Sequence, residues 1–377
     1  MTPAPLSDGE IAARTDAYFN RTRDIVAKFG DATVTYAIFL RRPVVCAPAI
    51  MVEWLKAVGR ARGQAFRIEL PHKEGEWVGA GEPLAYVTGS FVALSDLETL
   101  ALQKIGAACV AAHNAFQMAA ALPRAAFLAM EARHCAGAEM QEIMAYGCAV
   151  GSRAAQAEGA KGFIGNANDW TAHYFGAPKG YGTMPHALIG YANSTLRAAQ
   201  MFHETFPGEP LTVLVDYFGR EITDGLEVCR HFPEMAEAGR LSVRLDTHGG
   251  RYLEGLGPQE SYAVLERNAP GALRRYRSQR ELSYLIGTGV SAAAIWKMRE
   301  ALNEAGFPAV KIVASSGFGV EKCSVMADAK APIDVVGTGS FIPESWSETY
   351  ATADIVAYDG VPRVKIGREF LLRHDTV

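Results

Sequence analysis

The chain has 377 residues, of which 49% are apolar and 21% charged, and its formal net charge is −4. That length exceeds a usual single domain, so two domains, or one barrel with an accessory domain, are expected around a substantial core. No polybasic block and no apolar run of bilayer length occurs, which argues against a nucleic-acid, membrane-surface or transmembrane protein. Residues 10–29 carry a helical pattern, with Ile11, Ala17, Tyr18, Ile25, Val26 and Phe29 at the apolar positions. A strand rich in β-branched and aromatic residues follows over 33–40, and then a helix over 50–58. The segments 66–70, 76–78 and 84–87 read as short strands of a small antiparallel sheet with tight turns. Residues 1–110 are therefore expected to form an α+β domain. Residues 341–377 should complete it, because 355–358 and 363–366 flank an Asp359-Gly360 hairpin turn.

From 97 to 122 the chain is Ala-rich and helical. Strand patterns then recur around 125–130, 162–164, 211–215, 241–245, 311–314 and 333–336. Helical stretches lie between them, among them 138–157, 194–205, 223–231 and 291–305. Repeated βα units indicate a parallel sheet. With fewer than eight strands, residues 111–340 are expected to form an irregular α/β barrel. The N-terminal stretch lacks the basic and then apolar profile of a signal peptide. The six cysteines are scattered without a C-x-x-C pair, so they read as reduced residues of a cytoplasmic protein.

The chemistry-bearing stretch is 311–343. There a strand turns through Ser315-Ser316-Gly317, a helix follows, and a second strand ends in Gly337-Thr338-Gly339. Either glycine turn alone could merely close a tight connection. Two of them one helix apart, after the last strands of a barrel, suit an anion cradled by backbone N–H groups. Polar residues at other strand ends should share that face: Arg133-His134, Asn168-Asp169 and Arg244-Leu245-Asp246-Thr247. Arg244 and Asp246 are two apart and point the same way on an extended strand. They form either a ligand-facing pair or a structural ion pair. Asp216 either lines the same mouth or caps a turn. His186 follows the ordered turn Gly180–Pro185, where a histidine serves as nucleophile, as general base or as a packed residue. His113, His173 and His203 read as packed residues, and no H-x-x-x-H spacing supports a metal site.

Gly182-Thr183-Met184-Pro185-His186 resembles the GTMxH signature of the nicotinate phosphoribosyltransferase family. The likeness runs in order along the chain. Thr15-Asp16-Ala17-Tyr18 resembles TDxY, Gly81–Leu84 the GEPL turn, and Gly162–Asn168 the GFxGTSN segment. Arg244–Thr247 resembles RxD[ST], Ser315–Gly317 the SGG loop, and Pro332-Ile333-Asp334 through Gly339 the PID…GVGT loop. The resemblance implies a type II phosphoribosyltransferase fold, an α/β barrel packed against an α+β domain, working as a homodimer with shared active sites. It further implies joining of nicotinate to phosphoribosyl pyrophosphate (PRPP), with Mg2+ and coupled ATP hydrolysis, in NAD salvage. By the same likeness His186 is the phosphorylated, catalytic histidine, and Asp246 is a second catalytic residue that matches, with Arg133 and Arg244, the positions holding the PRPP phosphates and ribose. Arg133, Arg244, Thr247, Ser315, Ser316, Gly317, Gly337, Thr338 and Gly339 hold PRPP. Tyr18 of the neighbouring subunit, Met130, His134, Asn168 and Thr183 surround the base. Mg2+ is carried by the pyrophosphate, with Asp246 as the protein group that could reach it.

The sequence departs from the family where FGxRR is usual, reading Met130-Glu131-Ala132-Arg133-His134. Glu131 is expected to repel a carboxylate-bearing base. The acceptor is thereby open between nicotinate and another heterocycle such as nicotinamide. A non-catalytic relative that binds a phosphorylated metabolite is the reading from a different class.

Overall fold

The structure, a computed structural model, describes residues 6–344 and 351–372. The first five residues, and parts of the 341–377 segment considered above, lie outside them. Cα proximity divides the chain into two compact units. One comprises Met1–Phe116, Cys135–Ala154 and Ile342–Val377, the other Gln117–His134 and Ala155–Phe341.

In the first unit the helix expected over 10–29 is two helices, Asp8–Arg14 and Ala17–Phe29. A reciprocal Ser7–Glu10 capping box starts the first. Thr15 then turns extended, and its hydroxyl donates to the Asp96 carbonyl at 2.6 Å, which breaks the helical run. Five antiparallel strands form the sheet, in the order Val361–Pro362, Thr352–Tyr358, Thr33–Phe39, Pro83–Ser90 and Arg67–Glu69. The Asp359-Gly360 turn has positive φ at both residues, 49° and 78°, the twist that two-residue hairpins favour. One expectation fails here. Trp77–Val78 does not join this sheet but pairs with Val44–Val45 in a separate two-stranded ribbon. The helix Ala138–Ala157, read from sequence with the barrel, sends residues 135–154 to the first unit. Gly147 and Gly151 are the reason. A Cβ on either would overlap the carbonyl oxygens of Ala108 and Ala112 on helix Glu98–Ala121, so these two helices approach more closely than side chains permit.

The second unit holds six parallel strands in the order Phe163–Asn166, Ala126–Ala129, Val335–Thr338, Lys311–Ala314, Leu241–Leu245 and Leu211–Leu214. All six coincide with stretches read from sequence. The last of these strands in sequence, Val335–Thr338, pairs with the first, Ala126–Ala129, so the order is cyclic in sequence. Among the described residues the two outer strands, Phe163–Asn166 and Leu211–Leu214, are not bonded to each other, so the barrel is irregular, as its strand count implies. Ala126–Ala129 is buried throughout and Lys311–Ala314 after its first residue, the continuous apolar pattern of parallel strands covered on both faces. No helix among the described residues is long and apolar enough to cross a membrane.

Candidate active site

The strand Leu241–Leu245 alternates: Leu241, Val243 and Leu245 are buried, and Ser242 and Arg244 face the other way. Period 2 continues past the strand end and brings Asp246 beside Arg244. Arg244 Nη2 lies 3.3 Å from Asp246 Oδ2, Nε donates to Ser315 Oγ at 3.0 Å, and Nη1 donates to Thr183 Oγ1 at 3.2 Å. The Ser315 hydroxyl in turn lies 3.0 Å from Asp246 Oδ1, which accepts its proton. One guanidinium thus ties together three segments far apart in sequence. Both charged side chains remain partly accessible, 14% for Arg244 and 21% for Asp246, so a ligand can still reach them.

Beside this cluster lie the two glycine turns. Ser316 and Gly317 are exposed and left-handed, with φ of 78° and 65°. The N–H groups of Ser316, Gly317 and Gly339 make no hydrogen bond among the described residues. Such N–H groups, unpaired in a turn, make an anion-binding concavity. Thr338 joins the turns from below, donating from Oγ1 to the Phe318 carbonyl at 3.1 Å. Gly337 and Gly339 are glycines for packing. A Cβ at Gly337 would meet Met130 Cε at 2.9 Å, and one at Gly339 would overlap the Met130 carbonyl and lie 2.7 Å from His134 Cδ2. Thr247, read as a phosphate ligand, is fully buried, and its hydroxyl is committed to Glu221 Oε1 at 2.9 Å.

His186 is the first residue of the short helix His186–Ala192. Its Nε2 lies 2.9 Å from Asp216 Oδ1 and 3.1 Å from Oδ2, and Asp216 is held just past strand Leu211–Leu214. Sequence offered Asp216 as lining the mouth or capping a turn, and the pairing with the histidine is a contact that neither reading named. With Nε2–H donating to the carboxylate, Nδ1 keeps its lone pair, and the carboxylate stabilises positive charge on the ring. His186 is exposed, so a ring oriented in this way is also accessible.

Arg133 and His134 sit exposed on the 3-10 turn Ala132–His134. Glu131 differs from expectation. It is completely buried, and desolvation raises its carboxyl above the ordinary range and favours the uncharged form. The repulsion expected of it is correspondingly weakened. Asn168 Oδ1 accepts from the Thr171 N–H at 3.3 Å, and Asp169 Oδ1 from the Gly180 N–H at 2.8 Å; together they fold the segment that leads to Thr183. Tyr18 belongs to the first unit and is 61% exposed. With Phe19, Tyr36, Phe91 and Glu98 it lines a cavity of about 520 Å3.

Three residues of this region were not found from sequence. Glu221 is buried and accepts from Thr247, from Arg251 Nη2 at 2.5 Å and from the Glu254 N–H at 3.1 Å. Arg251 also donates to the Asp216 carbonyl at 2.9 Å, which braces the histidine's partner. Lys322 is buried behind the first turn. Its sequence signal was a lysine four residues after Phe318 and four before Met326, inside an apolar stripe. Among the described residues no group of three or more His, Cys, Asp or Glu side chains could hold a metal ion.

No protein-family model matches the chain. Among solved structures it is similar to nicotinate-nucleotide pyrophosphorylase from Pyrococcus furiosus, with TM-score 0.72 and 23% identity over 96% of this chain and 80% of that one. Human nicotinic acid phosphoribosyltransferase gives TM-score 0.60 and 16% identity, over 93% and 75% of the two chains. The class is thus a phosphoribosyltransferase-type fold. Among curated proteins, a nicotinate phosphoribosyltransferase of Mycobacterium tuberculosis is 24% identical over 294 residues, 78% of this chain and 52% of the relative. The chain spans about half the length of the curated relatives it matches. The resemblance to the nicotinate phosphoribosyltransferase family, first read from short motifs, therefore holds over most of the sequence.

Proposed function

We propose that the chain transfers the phosphoribosyl group of PRPP to nicotinate and releases pyrophosphate, with ATP hydrolysis coupled through His186, in NAD salvage. The observation that carries this reading is the convergence on Arg244 of Thr183, Asp246 and Ser315, residues that the family resemblance assigns to the base and PRPP subsites of one active site. In this reading the N–H groups of Ser316, Gly317 and Gly339 take the 5′-phosphate. Asp246 accepts from a ribose hydroxyl, and its charge stabilises the oxocarbenium-like ribose of the transition state. Arg244 lies alongside to meet the polyphosphate. Mg2+, when bound with PRPP, would neutralise charge on the leaving pyrophosphate. His186 offers Nδ1 to the γ-phosphoryl group of ATP, and Asp216 balances the charge left on the ring.

The decisive test is pyrophosphate release with a panel of pyridine bases, with and without ATP. Turnover with nicotinate that ATP stimulates is expected. Turnover with nicotinamide alone would transfer the assignment to that base, and no turnover with any base would leave a binding protein. His186→Asn should keep the ATP-independent rate, lose the stimulation, and fail to take up acid-labile label from γ-labelled ATP. Equal label on wild type and variant would exclude His186. The proposal includes a homodimer in which Tyr18 completes its neighbour's site. Mixing Tyr18→Ala and His186→Ala chains should then restore part of the ATP-stimulated activity, and no recovery after demonstrated subunit exchange would refute shared sites.

A further inference from the structure

Lys322 is the third residue of helix Val320–Asp328, and only 6% of its surface is exposed. A lysine is almost never buried without a partner. Its Nζ donates to the Ser316 carbonyl oxygen at 2.7 Å, and lies 4.4 Å from the centre of the Phe318 ring and 5.8 Å from that of Tyr284. Ser316 is one of four non-glycine residues with positive φ in the described chain, and its 78° needs an external hold. The Ser316–Gly317 peptide is trans and planar, so its C=O and N–H point in opposite directions. With the carbonyl drawn inward onto Lys322, the Gly317 N–H is turned outward. Gly317 is exposed, a Cβ on it would meet nothing within 4 Å, and its N–H makes no hydrogen bond among the described residues.

We propose that Lys322 is a positioning residue that presets the 315–317 turn for a phosphate monoester, fixing the outward Gly317 N–H and placing a buried positive charge behind it. This rests on the reading of that turn as the 5′-phosphate site. No residue of the ligand touches Lys322 in this scheme; it acts through the peptide it holds. Burial is what makes the charge effective, because screening by water is reduced there.

Desolvation pushes the Lys322 ammonium down to about 8, and Asp246 and the neighbouring Cys323 partly offset that. The other groups around it are Tyr284 and Arg280 on helix Gln279–Ile286 and Glu321, which is paired with Arg280 at 2.8 Å. Since the folded value lies below that of the unfolded chain, the folded state binds fewer protons between about pH 8 and 10.5. The Lys322 contribution to stability therefore rises with pH in that window, while its contribution to phosphate binding falls. A residue with only a structural role would not separate the two in this way.

The experiment is calorimetric titration of the full chain with ribose 5-phosphate and with PRPP, at pH 7 and pH 9, for wild type, Lys322→Met and Lys322→Arg. Melting curves are recorded alongside. At pH 7, Lys322→Met should melt no lower than wild type, having shed a buried charge. It should nonetheless bind ribose 5-phosphate about tenfold or more weakly, the scale of a charge-assisted hydrogen bond network. Wild-type affinity should fall between pH 7 and 9, and Lys322→Arg, which stays charged, should recover part of the affinity without that fall. If wild type binds and Lys322→Met binds equally well with an unchanged pH profile, the positioning role is overturned and the phosphate site stands. If wild type binds neither ligand, the phosphate site itself is overturned, and the role of Lys322 with it.

Discussion

The two glycine turns at the mouth of the barrel look alike as sequence, yet they are held by different forces. The 315–317 turn is tied by polar side chains: Arg244 and Asp246 grip Ser315, and Lys322 grips Ser316. Its glycine stands in open space and is needed only for its left-handed backbone. The 337–339 turn is seated by contact instead. Gly337 and Gly339 let the strand end lie directly on Met130 and His134, where a side chain has no room. One turn is adjustable and electrostatic, the other is fixed by excluded volume. A phosphate held between them would meet one rigid wall and one that can be tuned.

The largest effect should come from filling the rigid wall. Gly339→Val collides with backbone, which cannot swing away, so it should cost about 3 kcal/mol of stability as well as PRPP affinity. The Met130 carbonyl, which a Cβ at this position would overlap, is the physical reason to expect both losses. A melting temperature equal to wild type would show that the turn is looser than its contacts imply. Next in size is the tether of the other turn. Arg244→Ala should weaken PRPP binding by roughly 1.5–3 kcal/mol and shift the melting temperature little, because Asp246 keeps Ser315 as a partner. If the melting temperature drops and affinity stays, Arg244 and Asp246 are a structural pair. The smallest effect belongs to Gly317→Ala. It meets no atom and pays only for a left-handed backbone, about 1–2 kcal/mol. Gly317→Asn, which tolerates that conformation, should pay less. Equal losses in the two variants would mean that space around residue 317 is occupied after all.

The barrel strands were legible because most are short, largely apolar runs, as burial of a parallel sheet demands. Both glycine turns and the Arg244–Asp246 spacing could be read for the same local reason. Asp216 as the partner of His186 could not, since 30 positions separate them, one at a helix start and the other just past a strand, and only the tertiary fold brings them together. The single expected helix over 10–29 was wrong because Asp96, in another segment, offers Thr15 a carbonyl that local sequence does not reveal. The pairing of Trp77–Val78 with Val44–Val45 was likewise a long-range choice between two available edges. Glu131 was judged by its charge alone, and burial changed its meaning.

The strand order has a consequence for how the chain comes off the ribosome. Val335–Thr338 is the last barrel strand to be synthesised, yet it lies inside the sheet, between Ala126–Ala129 and Lys311–Ala314. Until it emerges, the nascent chain can pair only Phe163–Asn166 with Ala126–Ala129 on one side, and the Leu211, Leu241 and Lys311 strands with one another on the other. Each fragment then presents an unpaired edge, the kind of surface that invites aggregation or a chaperone. The strand that closes this gap also brings Gly337 and Gly339 onto Met130. Completion of the sheet and seating of the second glycine turn are therefore one event, and a chain released before residue 335 would have neither.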